Sequence, residues 1–250
     1  MLTGMQKVSL IFLVSAAIFL SGCATIYNPA TERKETYLIN TKMEVSLGSD
    51  MDRQVQGKYK ILDNPSMQAR LNRIGDRLAK VSDRQDLTYS FKIIDDKDLN
   101  AFAVPGGYIY VHSKLMEMAT DDELAGVVAH EIGHIAARHS VKKLQTALGY
   151  QIILGVALGL SGQQYMGQAM DIVFNLASLG YGRQDELLAD KLGVRYTKRA
   201  GFDPRGMLTF FEKLKKEEEG DPNYTPTFLR SHPPTDERIE RIKKEIEGNA

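Results

Sequence analysis

The 250-residue chain has a single cysteine, Cys23, so no disulfide can form within it and an oxidising compartment must be tolerated without covalent staples. It carries no excess of one charge. Its 32 basic residues face 32 acidic ones, a balance that argues against a nucleic-acid-binding surface. It also lacks a comfortable membrane span: the N-terminal apolar run from Val8 to Leu20 falls short of the ~20 residues a span requires. A second apolar stretch, Ala147 to Leu160, is shorter than a relaxed span, is interrupted by Gln151 and contains Gly149, Gly155 and Gly159. Glycine in a helix interior costs on the order of 1 kcal/mol relative to alanine, and this stretch reads as a buried or lid-like helical segment rather than a membrane insertion.

What the chain does have is His130-Glu131-Ile132-Gly133-His134, an H-E-x-x-H sequence. Residues four apart on an α-helix lie about 40° apart around its axis, so the two imidazoles share one face and can share one metal ion. Glu131, one step round, lies beside such a metal, where a carboxylate can take a proton from activated water. The flanking residues support a helix. Thr120 and Glu123 form a T-x-x-E capping-box start, and Asp121 and Asp122 suit the positive end of the helix dipole. Leu124, Val127, Val128, Ile132 and Ile135 supply an apolar stripe. The pattern predicts a buried helix that starts near Asp121 and runs to Ala147, with Lys142 and Lys143 near its end.

Two histidines leave a catalytic zinc site one protein ligand short. The metzincin continuation is excluded, because Ala137 and Ser140 stand where that pattern needs glycine and histidine. On a continuous helix His139 lies about 140° from His134 and about 180° from His130, which makes it a surface residue or an outer partner of the site rather than a ligand. Glu186 and Asp190 are better placed, since they too are four apart on a predicted helix beginning near Gly182. One carboxylate can bind the metal from this second helix, and the other, a turn later, can accept the free ring N–H of a ligating histidine. Glu186 takes the first role and Asp190 the second.

These stretches, with Glu44 and Gly48 in a predicted N-terminal helix, Asn100 to Gly107, and Ser231-His232-Pro233, resemble the HtpX and CAAX-protease family of gluzincin peptidases. The members most similar in kind are periplasmic and have no multi-span membrane portion. The resemblance implies a zincin-like domain with one Zn2+ held by His130, His134 and Glu186, Glu131 as general base, and Asp190 behind a ligand. It also implies that the His-Pro stretch reaches the metal site. His232 then either stabilises the tetrahedral oxyanion or occupies the open coordination position as a brake. His112 reads as structural.

Phe102 to His112 reads as two short extended pieces around Pro105-Gly106-Gly107, a hairpin-like turn followed by the strand formers Tyr108, Ile109, Tyr110 and Val111. An exposed edge here can align a peptide by strand addition, with Ala103, Gly106, Gly107 and Tyr108 as the contacting residues. The plainer reading is an edge strand packed on the active helix, and the two are compatible.

Lys7, the apolar run and Leu20-Ser21-Gly22-Cys23 make residues 1–22 a signal peptide with a lipobox-like ending. That likeness implies cleavage before Cys23 and lipid attachment to its sulfur and amino group. Ala24, in place of aspartate, favours the periplasmic face of the outer membrane in a Gram-negative host. Residues 23–40 look like a polar, irregular tether, and 41–250 like one domain. Helices are predicted for Pro65 to Val81, with Asn64 as its cap, and for Asp236 to Glu247. Leu87 to Ile94 and Ala101 to Val111 should form a sheet, and Met166 to Leu179 should continue the lid-like cover that Ala147 to Leu160 begins over the cleft.

The expected fold class is therefore α+β, mostly helical, with a small β-sheet beside the active-site helix. The expected function is a zinc metalloendopeptidase of the bacterial cell envelope, tethered to the membrane through lipid at Cys23 and acting on misfolded or unassembled envelope proteins. The alternative is an envelope assembly factor or chaperone with weak or latched proteolysis. A prenyl-protein protease is disfavoured because the chain lacks the many spans of those enzymes.

Overall fold

Thr120 and Glu123 close the capping box that their spacing predicts. The Thr120 hydroxyl accepts from the Glu123 N–H at 3.3 Å, and the Glu123 carboxylate accepts from the Thr120 N–H at 2.7 Å. From this start the helix Asp121–Ala136 runs with every residue from Glu123 onward buried, so it forms the axis of the molecule. The computed structural model describes residues 24–147, 163–221 and 223–248. The signal-peptide reading of residues 1–22, the lipidation of Cys23 and the reading of the apolar stretch beyond residue 147 lie outside the described residues.

In chain order the elements are β1 (Ala24–Asn28), β2 (Arg33–Tyr37), α1 (Thr41–Lys58), α2 (Pro65–Ala79), β3 (Ser90–Ile94), β4 (Ala101–Val104), β5 (Tyr108–His112), α3 (Ser113–Met118) and α4 (Asp121–Ala136). A helical segment over residues 139–147 follows. The chain continues with α5 (Gln163–Leu179), α6 (Arg183–Arg199), α7 (Gly206–Gly220), α8 (Thr227–Ser231) and α9 (Asp236–Glu247). The fold is α+β and mostly helical. β3, β5 and β4 form a sheet in that order, with β3 parallel and β4 antiparallel to β5. A short 3-10 turn at Pro105–Gly107 joins β4 to β5 and sets Val104 opposite Tyr108. Among the described residues β4 is an edge strand, and it lies against α4.

Burial of the α4 stripe builds the main core. Leu124, Val127, Val128 and Ile132 cluster with Leu71, Ile74 and Leu78 of α2, Ile109 of the sheet and Phe210 of α7. A second cluster joins Met51 and Val55 of α1, Phe102 and Val104 of β4, and Ala169, Met170 and Val173 of α5. α5 touches both β4 and α8 and so lies along the flank of the sheet. α6 packs directly on α4. A Cβ on Gly133 would meet the Ala189 carbonyl oxygen at 2.9 Å, so a larger residue there would push the two helices apart.

Two expectations change in the folded chain. Residues 24–37, read as irregular tether, form an antiparallel ribbon of β1 and β2 fastened to the body. The Asn28 side chain donates to Tyr37 Oη at 3.2 Å and to the Ala136 carbonyl, at the end of α4, at 3.3 Å. Ala30 and Tyr37 join the apolar clusters and Asn28 supplies the polar contacts, a mixture without the alternating stripe that would mark strands in the sequence. The second change is in the long helix predicted to Ala147, which breaks after Ala136. Arg138 adopts φ 56°, the left-handed conformation that helix ends usually give to glycine. Its guanidinium is held by the Ile39 carbonyl at 2.7 Å and by Glu44 at 2.8 Å, and stacks 4.1 Å from the Tyr37 ring centroid.

Candidate metal centre

His130 and His134 lie one turn apart on α4, Glu186 on the first turn of α6, and His232 just past α8. Their four donor atoms lie within 4.8 Å of one another and all four residues are buried. His130 Nε2 is 3.0 Å from His134 Nε2 and 3.4 Å from Glu186 Oε2, and His134 Nε2 is 3.3 Å from Glu186 Oε1. His232 Nδ1 adds distances of 3.2 Å to His130 Nε2 and 3.0 Å to Glu186 Oε2. A tetrahedral ion with ligand bonds of ~2.0–2.1 Å has donor-to-donor edges of about 3.3–3.4 Å. The donor set thus has the size and chemistry of a zinc site.

Glu131 follows His130 and is 1% exposed. A backbone hydrogen bond from Ala103 reaches its carboxylate, and its Oε1 lies 3.5 Å from His232 Nε2. Burial pushes the Glu131 carboxyl up from its ordinary value, against the pull of His232 and His130. Asp190 Oδ1 lies 2.9 Å from His130 Nδ1, on the side of the ring away from the donor set. Burial alone would lower the His130 pKa, but Asp190 and Glu186 outweigh it and raise it to about 9. At His134 burial prevails and the value falls to about 3. The carboxylates that favour a proton on His130 also favour a metal cation at the same place.

Of the residues considered for substrate contact, Ala103 lies on β4 and reaches Glu131. Gly106 packs against the backbone of α1 at Glu44 and Val45, and Gly107 against Thr88. Tyr108 begins β5, with the Lys92 ammonium 5.2 Å from its ring centroid. His112 is buried on β5 at the entry to α3.

Two residues around the donor set, Arg238 and Tyr181, escaped the sequence reading, and a third, His139, takes one of the two places expected of it, that of an outer partner. Arg238 on α9 donates to both oxygens of Asp190 at 2.7 Å, and its Nη1 lies 3.1 Å from Glu186 Oε2. Tyr181 stacks on the His134 ring with centroids 4.0 Å apart. His139 is 1% exposed, and its Nδ1 lies 2.8 Å from His134 Nδ1. Arg238 carried a faint signal, six residues after His232 on an otherwise amphipathic charged helix. His139 was expected at the surface or as an outer partner, and the turn at Arg138, which ends the continuous helix assumed for its angle, gives it the second place.

A buried His-His-Glu donor set with a carboxylate beside it, carried by an α+β and mostly helical body, defines a zinc-dependent metallopeptidase. Residues 65–246 match Peptidase family M48, and the chain belongs to that family. It is 29% identical over 250 residues to Metalloprotease LoiP of Escherichia coli (strain K12), an overlap of 96% of this chain and 97% of that relative. Identity to Metalloprotease YcaL of the same organism is 27%, covering 95% of this chain and 96% of the relative. The Beta-barrel assembly-enhancing protease of Escherichia coli (strain K12) is 28% identical over 236 residues, covering 90% of this chain and 47% of that longer protein.

Proposed function

We propose that this metallopeptidase is an endopeptidase of the bacterial cell envelope, lipid-anchored at Cys23, that cleaves misfolded or unassembled envelope proteins. The observation that carries the catalytic part is the donor set itself, with edges of 3.0–3.4 Å and Glu131 beside it. His130, His134 and Glu186 hold the metal, and Asp190 orients His130 from behind. When bound, zinc polarises the scissile carbonyl and acidifies the attacking water. Glu131 receives the proton from that water and returns it to the leaving amine. His232, once its Nδ1 leaves the donor set, would donate to the oxyanion.

The outer edge of β4 would align the peptide by strand addition at Ala103, with the Gly106-Gly107 turn and Tyr108 bounding its far end. Backbone recognition of this kind suits extended chains of varied sequence. The name of the β-barrel assembly-enhancing relative supports unassembled envelope proteins as the substrate class. The envelope placement is supported by the lipobox-like sequence at Cys23, and among the described residues no helix is long and apolar enough to cross a membrane. The periplasmic face of the outer membrane follows for a Gram-negative host.

A second reading, an assembly factor with latched proteolysis, is favoured by one observation: His232 Nδ1 lies 3.2 Å from His130 Nε2 and 3.0 Å from Glu186 Oε2, where it can occupy the coordination position that an incoming substrate would need open. Incubating the zinc-loaded protein with casein separates the two. Cleavage by the wild type, its loss in Glu131→Gln with zinc still bound, and its loss on chelation are expected. His130→Ala and Glu186→Ala should instead lose the metal. Full activity in Glu131→Gln would overturn the mechanism, and a folded, zinc-bound wild type that is silent until His232→Ala is made would establish the latch.

A further inference from the structure

We propose that His139 is a positioning residue of the metal centre, its unprotonated Nδ1 accepting the Nδ1–H of His134 and so fixing that ring to bind zinc through Nε2. This rests on the assignment of His134 as a ligand. The atom of His134 that joins the donor set is Nε2, 3.0 Å from His130 Nε2 and 3.3 Å from Glu186 Oε1. A neutral imidazole that ligates through Nε2 carries its proton on Nδ1. That proton faces His139 Nδ1 at 2.8 Å, too close for both nitrogens to be protonated. His139 is therefore the Nε2–H tautomer, and its Nε2 lies on the side of Asp185, whose Oδ1 is 3.5 Å away.

The surroundings select this arrangement. His139 is 1% exposed and its ring lies against that of His134, with centroids 5.0 Å apart, so the 2.8 Å approach of the two Nδ1 atoms is shielded from water. Tyr181 lies on the His134 ring at an interplanar angle of 21° and fixes its plane while His139 fixes its rotation. Ligating histidines generally give their second ring N–H to a carboxylate, a carbonyl or water. His130 has the carboxylate, Asp190. A second carboxylate behind His134 would add buried negative charge to Glu131, Glu186 and Asp190, all at most 4% exposed. A neutral imidazole supplies the hydrogen bond without that charge. The backbone makes the approach possible: Arg138, at φ 56°, turns the chain so that His139 returns to the face of α4 that bears His134.

The chain has five histidines, so 15N-histidine NMR of the full-length zinc-loaded protein in detergent can assign every ring tautomer. The expected result is His134 protonated on Nδ1 and His139 protonated on Nε2 alone; a proton on His139 Nδ1 overturns the proposal without any variant. Zinc release to a competing chelator gives the second readout. H139L should release zinc about 10–100-fold faster than wild type, the usual loss when such a partner is removed. H139N, whose side-chain oxygen sits where Nδ1 did, should stay within about threefold. Wild-type release from H139L, or equal loss in H139L and H139N, would refute the positioning role. A wild type that holds no zinc, or whose His134 does not contact it, would instead refute the ligand assignment.

Discussion

Arg238 is 2% exposed yet meets two carboxylates, Asp190 through a two-pronged contact and Glu186 through Nη1. Burial raises the Asp190 carboxyl and the Arg238 hydrogen bonds more than reverse this, holding it below its ordinary value. Removing one partner of a buried ion pair typically costs about 3–5 kcal/mol, because the other charge is left without compensation. Arg238→Met should therefore lower the melting temperature, and more in zinc-free than in zinc-loaded protein, where the metal supplies positive charge beside Glu186. Thermal unfolding with and without zinc checks this; an equal loss in both would mean that Arg238 acts through packing alone. The four-residue spacings of His130 with His134 and of Glu186 with Asp190 were legible because helical periodicity is local. Arg238 and Tyr181 were not, because each reaches the site only once separate segments have packed, and for His139 the same packing decided between the surface and the outer-partner place that its spacing left open.

Among the elements, α1 is the one whose role at the site is least direct. Gly48 brings α1 against the turn between β4 and β5, where an added Cβ would meet the Pro105 carbonyl oxygen at 2.0 Å. That oxygen is backbone and cannot step aside, and overpacking of this kind costs typically about 1–3 kcal/mol. Gly48→Ala should lower the melting temperature and raise KM for an extended peptide more than it lowers kcat, since the displaced turn ends the proposed substrate edge. Unchanged KM would show that this turn does not set the edge. The caps of α2 and α4 and the run of α9 follow the sequence expectation because they depend on neighbouring residues: Asn64 accepts from the Met67 N–H at 3.1 Å, and Thr235 caps Asp236–Glu247. The end of α4 does not, because the left-handed turn at Arg138 is stabilised by Ile39, Tyr37 and Glu44, about a hundred residues upstream.

At the scale of the whole molecule, carboxylates tie distant segments together. Asp98 Oδ1 accepts from Tyr224 Oη at 2.9 Å and from the Thr227 N–H at 3.2 Å, anchoring α8, and with it His232, to the approach to β4. Burial would raise the Asp98 pKa, but these bonds from Thr227 and Tyr224 lower it. Glu123 and Asp86 are shifted the same way, each raised by burial and lowered further by Lys213 or Arg84. A carboxylate with a folded pKa below its unfolded value of about 4 adds stability that is full above that value and is lost as pH falls through the folded pKa. Stability should thus fall as pH drops below about 4, and Asp98→Asn should make that fall shallower. Denaturant melts at several pH values test this, and an identical slope in the variant would exclude Asp98 from the linkage.

The sequence by itself determined the α+β class, the helix carrying H-E-x-x-H, the second helix with its paired carboxylates and the likeness to a peptidase family, because caps, periodicity and residue spacing act over a few positions. Only the tertiary structure decided which atoms converge on one point. His232 comes from 102 residues beyond His130, and Asn28 comes from 108 residues before Ala136, whose carbonyl it caps. Their places depend on burial of two apolar clusters and on close helix contact at Gly133, and long-range packing of that kind leaves no periodic trace in the chain.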